Sequence, residues 1–224
     1  MLKYKCIVFD VGYTLVKHDD EKESAMIAEI LDIPCDQELK NEISNFWNKS
    51  AEYTKDLIIT KEKYLKILKR MFPIINKYNI TVEDFYDALS NKKQIGIYSD
   101  VIEILDWLKE NEIEIITLSN WFEENQKDEL EKLSIYGYFS NIYGWDNSYA
   151  KPNPQIINSK ILNKYDKKDV LMVGDGLEKD IKCAIRAQID SCWINRNCTI
   201  NKTNIKPTYE IKNLLQMKEI LKYC

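Results

Sequence analysis

The stretch Cys6-Ile7-Val8-Phe9-Asp10-Val11-Gly12 constrains the fold most: an apolar run of β-branched and aromatic residues stops at a carboxylate, and a glycine-containing turn follows. Such a run is a buried strand, and its end puts Asp10 at the mouth of a sheet. There the strand holds the carboxylate while the turn offers backbone groups to an anionic substrate, a geometry suited to nucleophilic attack on phosphorus or carbon. The next run of equal quality, Ile113-Glu114-Ile115-Ile116-Thr117-Leu118-Ser119, comes roughly a hundred residues later. Four helix-like segments lie between, about Glu21 to Leu31, Glu38 to Ala51, Lys61 to Phe72 and Val82 to Ser90. Their apolar residues recur at helical spacing, as in Leu39, Ile43, Phe46 and Trp47. Thr81 with Asp84 has the pattern of a capping box, and Pro34 and Pro73 stand where helices should stop. The spacing predicts an all-helical insertion over residues 17–92, with 1–16 and 93–224 forming the core.

Beyond the insertion, Asp100 with Glu103 predicts a capped helix whose buried stripe is Val101, Ile104, Leu105 and Leu108. Strands near Asn141 to Trp145, Val170 to Val173 and Ser191 to Ile194 then alternate with helices near Glu123 to Leu133, Gln155 to Leu162, Lys179 to Ala187 and Leu214 to Leu221. That alternation predicts an α/β fold with a Rossmann-like parallel sheet. A net charge of -4, with acidic and basic residues interspersed, supplies no basic patch and argues against nucleic acid as a partner. The absence of any apolar run of membrane-spanning length, and of a signal-peptide core after Met1, leads to the expectation of a cytoplasmic protein. The six cysteines form no Cys-x-x-Cys pair and the single histidine, His18, is remote from all of them, which argues against zinc. Cys6 and Cys183 read as buried thiols, and Cys192 and Cys198 could be bridged but need not be.

In an open parallel sheet, residues at the carboxyl ends of strands meet even when distant in sequence. The polar ends here are Asp10, Ser119-Asn120 and Gly174-Asp175-Gly176, and Lys151 of Ala150-Lys151-Pro152-Asn153-Pro154 opens a helix near the third strand. In order and spacing these motifs resemble those of the haloacid dehalogenase-like hydrolases, over essentially the whole chain. Cys192-Trp193-Ile194-Asn195-Arg196 is similar to the last core strand of that superfamily. The resemblance implies that Asp10 is the nucleophile, that Ser119 hydrogen-bonds a phosphoryl oxygen, that Lys151 offsets the negative charge of nucleophile and substrate, and that Asn120 shapes the pocket. It also implies a Mg2+ cofactor. Asp10 and Asp175 would be direct ligands, with a main-chain carbonyl supplied by Gly12, and Asp180 would hold a metal-bound water or orient Lys151.

One position departs from the family pattern. The first motif usually reads Asp-x-Asp-x-Thr, its second Asp serving as general acid and base, and here that residue is Gly12. Losing such a group typically costs roughly 10² to 10⁴ in rate. The expectation is a preference for activated phosphates such as acyl or aryl phosphates, or a substitute acid, for which Tyr13 and His18 are the candidates. His18 itself reads first as a solvated hinge residue. The function implied is Mg-dependent hydrolysis of a small phosphorylated metabolite through an aspartyl-phosphate on Asp10. Gly12 also admits a 2-haloacid dehalogenase, a phosphonate hydrolase using a Schiff base on Lys49, Lys55, Lys61 or Lys63, or a weakly catalytic protein that retains a phosphoryl group. Trp121 and Phe122 read as packing against the insertion.

Overall fold

The structure is a computed structural model that describes residues 2–90, 96–146 and 148–222. The expected boundary at residues 92 and 93, and Cys224, lie outside them. The chain runs β1 (Cys6–Phe9), β2 (Val16–Lys17), α1 (Asp20–Leu31), α2 (Gln37–Tyr53), β3 (Ile58–Ile59), α3 (Lys61–Met71), α4 (Ile74–Lys77), α5 (Val82–Ser90) and β4 (Gly96–Ile97). It continues through α6 (Val101–Glu110), β5 (Glu114–Leu118), α7 (Glu123–Lys132), β6 (Asn141–Tyr143), β7 (Ser148–Tyr149), β8 (Val170–Gly174), α8 (Lys182–Ala187), β9 (Asp190–Ile194), β10 (Tyr209–Ile211) and α9 (Met217–Leu221). A sheet of order β10-β9-β8-β1-β5-β6 forms the centre, every neighbouring pair parallel.

Strand β1 lies between β5 and β8 and is buried on both faces, which is why its sequence is apolar without alternation. Its pleat sends Ile7 and Phe9 into a cluster with Ile104, Leu105 and Leu108 of α6, and Cys6 and Val8 into another with Cys183 and Ala184 of α8. Phe9 is level with Thr117 of β5 and Val173 of β8, so the residues just past these three strands emerge at one edge.

Helices α1 to α5 gather around a separate hydrophobic cluster that includes Leu39, Phe46, Tyr64, Leu68 and Phe85. Trp121, Phe122 and Trp145 belong to that cluster, so the two aromatics after Ser119-Asn120 pack against the helices as their sequence suggested. At the start of α5 the Thr81 hydroxyl accepts from the Asp84 amide at 3.0 Å, the capping bond, and donates to the Asp84 carboxylate at 2.6 Å. Asp100 does not cap α6 with its side chain. Its carboxylate is taken by stronger partners, Arg196 at 2.9 and 3.1 Å and the Leu214 amide at 2.7 Å.

Two of the expected helices are partly π-helical, at Ile157–Ile161 and Leu177–Ile181, and the closing helix opens as a 3-10 turn at Leu214–Gln216. Cys6, Cys35, Cys183, Cys192 and Cys198 are free thiols, so Cys192 and Cys198 are not bridged. Among the described residues no helix is long and apolar enough to cross a membrane.

Candidate active site

Asp10 leaves β1 with its amide bonded to the Val173 carbonyl at 2.8 Å, so the sheet itself fixes the start of the site. Both carboxylate oxygens are held. Lys151 Nζ donates to Oδ1 at 2.6 Å and the Thr14 hydroxyl reaches Oδ2 at 3.3 Å. Lys151 is 2% exposed, a burial that a lysine tolerates only when paired, and its second partner is Asp180 Oδ1 at 2.6 Å. The Lys151 backbone is pinned as firmly: Asn120 Nδ2 donates to its carbonyl at 3.0 Å and Asn120 Oδ1 accepts from its amide at 2.7 Å. Asn120 thus shapes the site by fixing Lys151. Ser119 lines the same cavity from the end of β5.

Asp175 follows β8, and its carbonyl accepts from Trp193 Nε1 at 2.9 Å. Asp180 folds back over the end of the same strand, where its Oδ2 accepts from the Gly176 amide at 2.9 Å. A Cβ on Gly174 would lie 2.3 Å from that oxygen, so only glycine admits the fold-back. Gly174→Ala is therefore expected to displace Asp180, lowering stability by about 1–3 kcal/mol. It should also weaken Mg2+ binding; thermal denaturation and calorimetric titration would read both effects.

One oxygen from each of Asp10, Asp175 and Asp180 lies within 4.8 Å of the others. Burial and crowding raise the proton affinity of two of them, Asp10 and Asp175. Burial first, then the charges of Asp10 and Asp180, hold the Asp175 carboxyl well above the ordinary carboxylate range. Asp10 is pushed up to about 6 by burial, against the pull of Lys151. Burial lowers Lys151, but the two carboxylates outweigh it and keep the ammonium protonated. The cluster carries more negative charge than Lys151 balances, and its donors are hard oxygens, a set that fits magnesium. Gly12, the expected carbonyl donor, lines the same cavity.

That cavity, about 620 Å³, lies between the strand ends and helices α1 and α2, whose Ser24, Lys40, Ile43 and Trp47 face it. Lys179 crosses from the sheet side to donate to the Trp47 carbonyl at 2.9 Å, and burial lowers its pKa. Trp47 meets Trp121 edge to face, with ring centroids 5.5 Å apart. None of Lys49, Lys55, Lys61 and Lys63 lines the cavity, and Lys61 instead sits over the Tyr86 ring at 4.6 Å.

The family pattern described as haloacid dehalogenase-like hydrolase matches residues 7–194. The chain belongs to that family. Among its relatives, YfnB of Bacillus subtilis is 21% identical over 99% of this chain and 97% of its own length. The pyrimidine 5'-nucleotidase PynA of Streptococcus pneumoniae is 22% identical over 97% of this chain and 95% of its own. A crystal structure of YfnB bound to magnesium superposes with a TM-score of 0.77 at 20% identity, covering 99% of this chain and 100% of that one. The L-2-haloacid dehalogenase RSc1362 superposes almost as well, with a TM-score of 0.75 at 12% identity over 99% and 100% of the two chains. These likenesses show the fold, and the family makes this haloacid dehalogenase-like protein a hydrolase.

Several residues that build this hydrolase site carried little signal in the sequence. Thr14 supports Asp10 from four residues away, where the Asp-x-Asp-x-Thr pattern has its Thr. Arg196 donates to the Thr14 carbonyl at 2.8 Å, pairs with Asp100 and stacks 3.7 Å from the Tyr98 ring centroid, clamping the turn after β1 to the segment that follows β4. Nothing short of the fold links residues 14, 100 and 196. Lys179 stands between Glu178 and Asp180, a run of charges that gives it no distinct signal. Tyr13 and His18 both border the cavity, and Tyr13 takes a left-handed backbone with φ 56°. His18 is not a solvated hinge residue, since its side chain is only 9% exposed.

Proposed function

We propose that this haloacid dehalogenase-like protein is a magnesium-dependent phosphohydrolase acting on a small phosphorylated metabolite through an aspartyl-phosphate on Asp10. The observation that carries the reading is the 2.6 Å pair of Asp10 with a fully buried Lys151, placed beside Asp175 and Asp180. Residues 17–92 would act as a cap over a core of residues 1–16 and 93–224, closing the cavity and excluding water. The buried free thiols Cys6, Cys183 and Cys192 fit work in the reducing cytoplasm.

In this mechanism Lys151 and Thr14 hold the Asp10 carboxylate in one orientation before substrate arrives, so little reorganisation accompanies attack. Asp10 attacks phosphorus, while Ser119 and Lys151 bind phosphoryl oxygens whose charge grows in the transition state. Asp180 keeps Lys151 pointed at the reacting group, and Asn120 fixes the backbone that carries it. Magnesium, held by Asp10, Asp175 and the Gly12 carbonyl, would supply positive charge that lets an anionic substrate approach an anionic nucleophile. Water then releases phosphate from Asp10.

Gly12 favours a second reading, 2-haloacid dehalogenation. Against it stands the charge of the site: three clustered carboxylates repel a halocarboxylate unless a dication intervenes, and carbon-halogen displacement gains nothing from one. A phosphonatase Schiff base on Lys49, Lys55, Lys61 or Lys63 has no support, since none of these four lines the cavity. The test is a panel of phosphate esters, acyl phosphates, haloacids and phosphonates, including pyrimidine nucleotides because of PynA, run with and without Mg2+. Phosphate release that stops on chelation is expected. Turnover of a haloacid that survives chelation would overturn the proposal.

A further inference from the structure

We propose that His18 is the proton donor and acceptor that replaces the missing carboxyl of position 12, and that Glu23 orients it. The inference rests on the reading of the site as a phosphohydrolase acting through Asp10. Its basis is spatial. A Cβ built on Gly12 would lie 3.4 Å from His18 Nε2 and 3.7 Å from His18 Cδ2, so the imidazole borders the ground into which a carboxyl at residue 12 would project. The ring shares the cavity of Asp10, Lys151 and Asp175. Its other nitrogen, Nδ1, lies 4.0 Å from Glu23 Oε2, and the Glu23 side chain is 7% exposed. The buried Glu23 carboxylate lies on the Nδ1 side of the ring, within ion-pair range of an imidazolium, and Nε2 is the nitrogen beside residue 12, the arrangement of an acid and base steadied by a third group.

Two other proton donors border the same cavity. The Tyr13 hydroxyl donates to the Asp20 carboxylate, and the Tyr13 ring meets the His18 ring at a centroid distance of 5.1 Å. Lys179 donates to the Trp47 carbonyl. In the first step the Asp10 oxygen forms its bond to phosphorus, the ester P–O bond breaks, and the Nε2 proton passes to the departing alkoxide. In the second, neutral Nε2 takes a proton from water as the water oxygen bonds phosphorus and the bond to Asp10 breaks. Phosphate leaves and the imidazolium is restored.

Leaving-group dependence tests this. In His18→Ala and His18→Gln, kcat/KM for an alkyl phosphate should fall roughly 10²- to 10⁴-fold. For 4-nitrophenyl phosphate, whose phenolate departs without a proton, kcat/KM should fall far less, and a stoichiometric burst of nitrophenolate should appear because water now lacks its base. The double variant His18→Ala/Gly12→Asp should regain alkyl phosphate hydrolysis, its carboxyl entering the vacated space. Equal losses on both esters, or no loss on either, would overturn the role of His18 while leaving the phosphohydrolase standing. Absence of phosphate release from every ester by the native protein would remove the underlying reading, and His18 with it.

Discussion

Asp10→Asn is expected to lower phosphate release by at least roughly 10⁴-fold while leaving the fold in place. The amide keeps the shape of the carboxylate but cannot form the acyl-phosphate bond. The substitution also removes a charge that the site holds at a cost, since burial pushes the Asp10 carboxyl up to about 6 in spite of Lys151. Lys151 keeps its 2.6 Å bond to Asp180, so it is not left as an uncompensated buried cation. Thermal stability without magnesium should therefore stay close to that of the native protein. Intact-mass measurement during turnover provides the second readout: the native chain should show a phosphate adduct at Asp10, and the variant none. Appreciable turnover in the variant, with no adduct on either chain, would mean that water attacks the substrate directly.

What the sequence disclosed about this site follows from which residues the sheet positions. Asp10, Ser119 and Asp175 were legible because each ends an apolar run, and parallel strands bring such ends to one edge whatever lies between them. Asp180 was legible as the second carboxylate of a compact motif, although its fold-back over Gly174 required coordinates. Lys151 came from its motif; its near-complete burial could not be inferred from a polar, proline-rich segment. Helices α1, α2, α3 and α5 were apparent from periodicity, whereas α4 was missed because Ile74–Lys77 is a single turn, and β10 because Tyr209–Ile211 is a three-residue edge strand with an exposed Glu210 at its centre. The pairing of β3 with β7 was also missed. It joins Ile58 and Ile59, between α2 and α3, to Tyr149 and Ser148, just before Lys151 in the chain, and two-residue strands leave no periodic signal. The positions of His18 and Glu23 depend on how the turn after β1 enters α1, which the left-handed Tyr13 and the Arg196 bond to Thr14 decide. No local pattern encodes that path.

Lys151→Met tests the electrostatic logic of the site most directly. Methionine retains much of the volume of the lysine stem, so the variant isolates the loss of charge and of two charge-assisted hydrogen bonds. Activity should fall by roughly 10² to 10³, the usual effect of deleting a donor aimed at developing charge. Without metal, Asp10, Asp175 and Asp180 would crowd together with no ammonium among them, and breaking a buried pair in this way costs about 3–5 kcal/mol. The sign of the pH dependence follows. Lys151 is the main influence pulling Asp10 down against burial, so its removal raises the folded-state value further above the ordinary 3.8. The folded variant then binds a proton more readily than its unfolded chain, and stability falls as pH rises between those two values. The part of the deficit that runs through Asp10 should be complete above the variant's raised value and shrink as pH falls to about 6, where the native Asp10 takes up its own proton. Added Mg2+ should narrow the same deficit at neutral pH, because a dication bound only by the folded state stabilises by mass action and restores positive charge to the cluster. Denaturation midpoints measured across pH, with and without Mg2+, read both trends. A deficit that ignores both proton and metal would mean that Lys151 contributes packing rather than charge balance, and that the carboxylates are not energetically coupled through it.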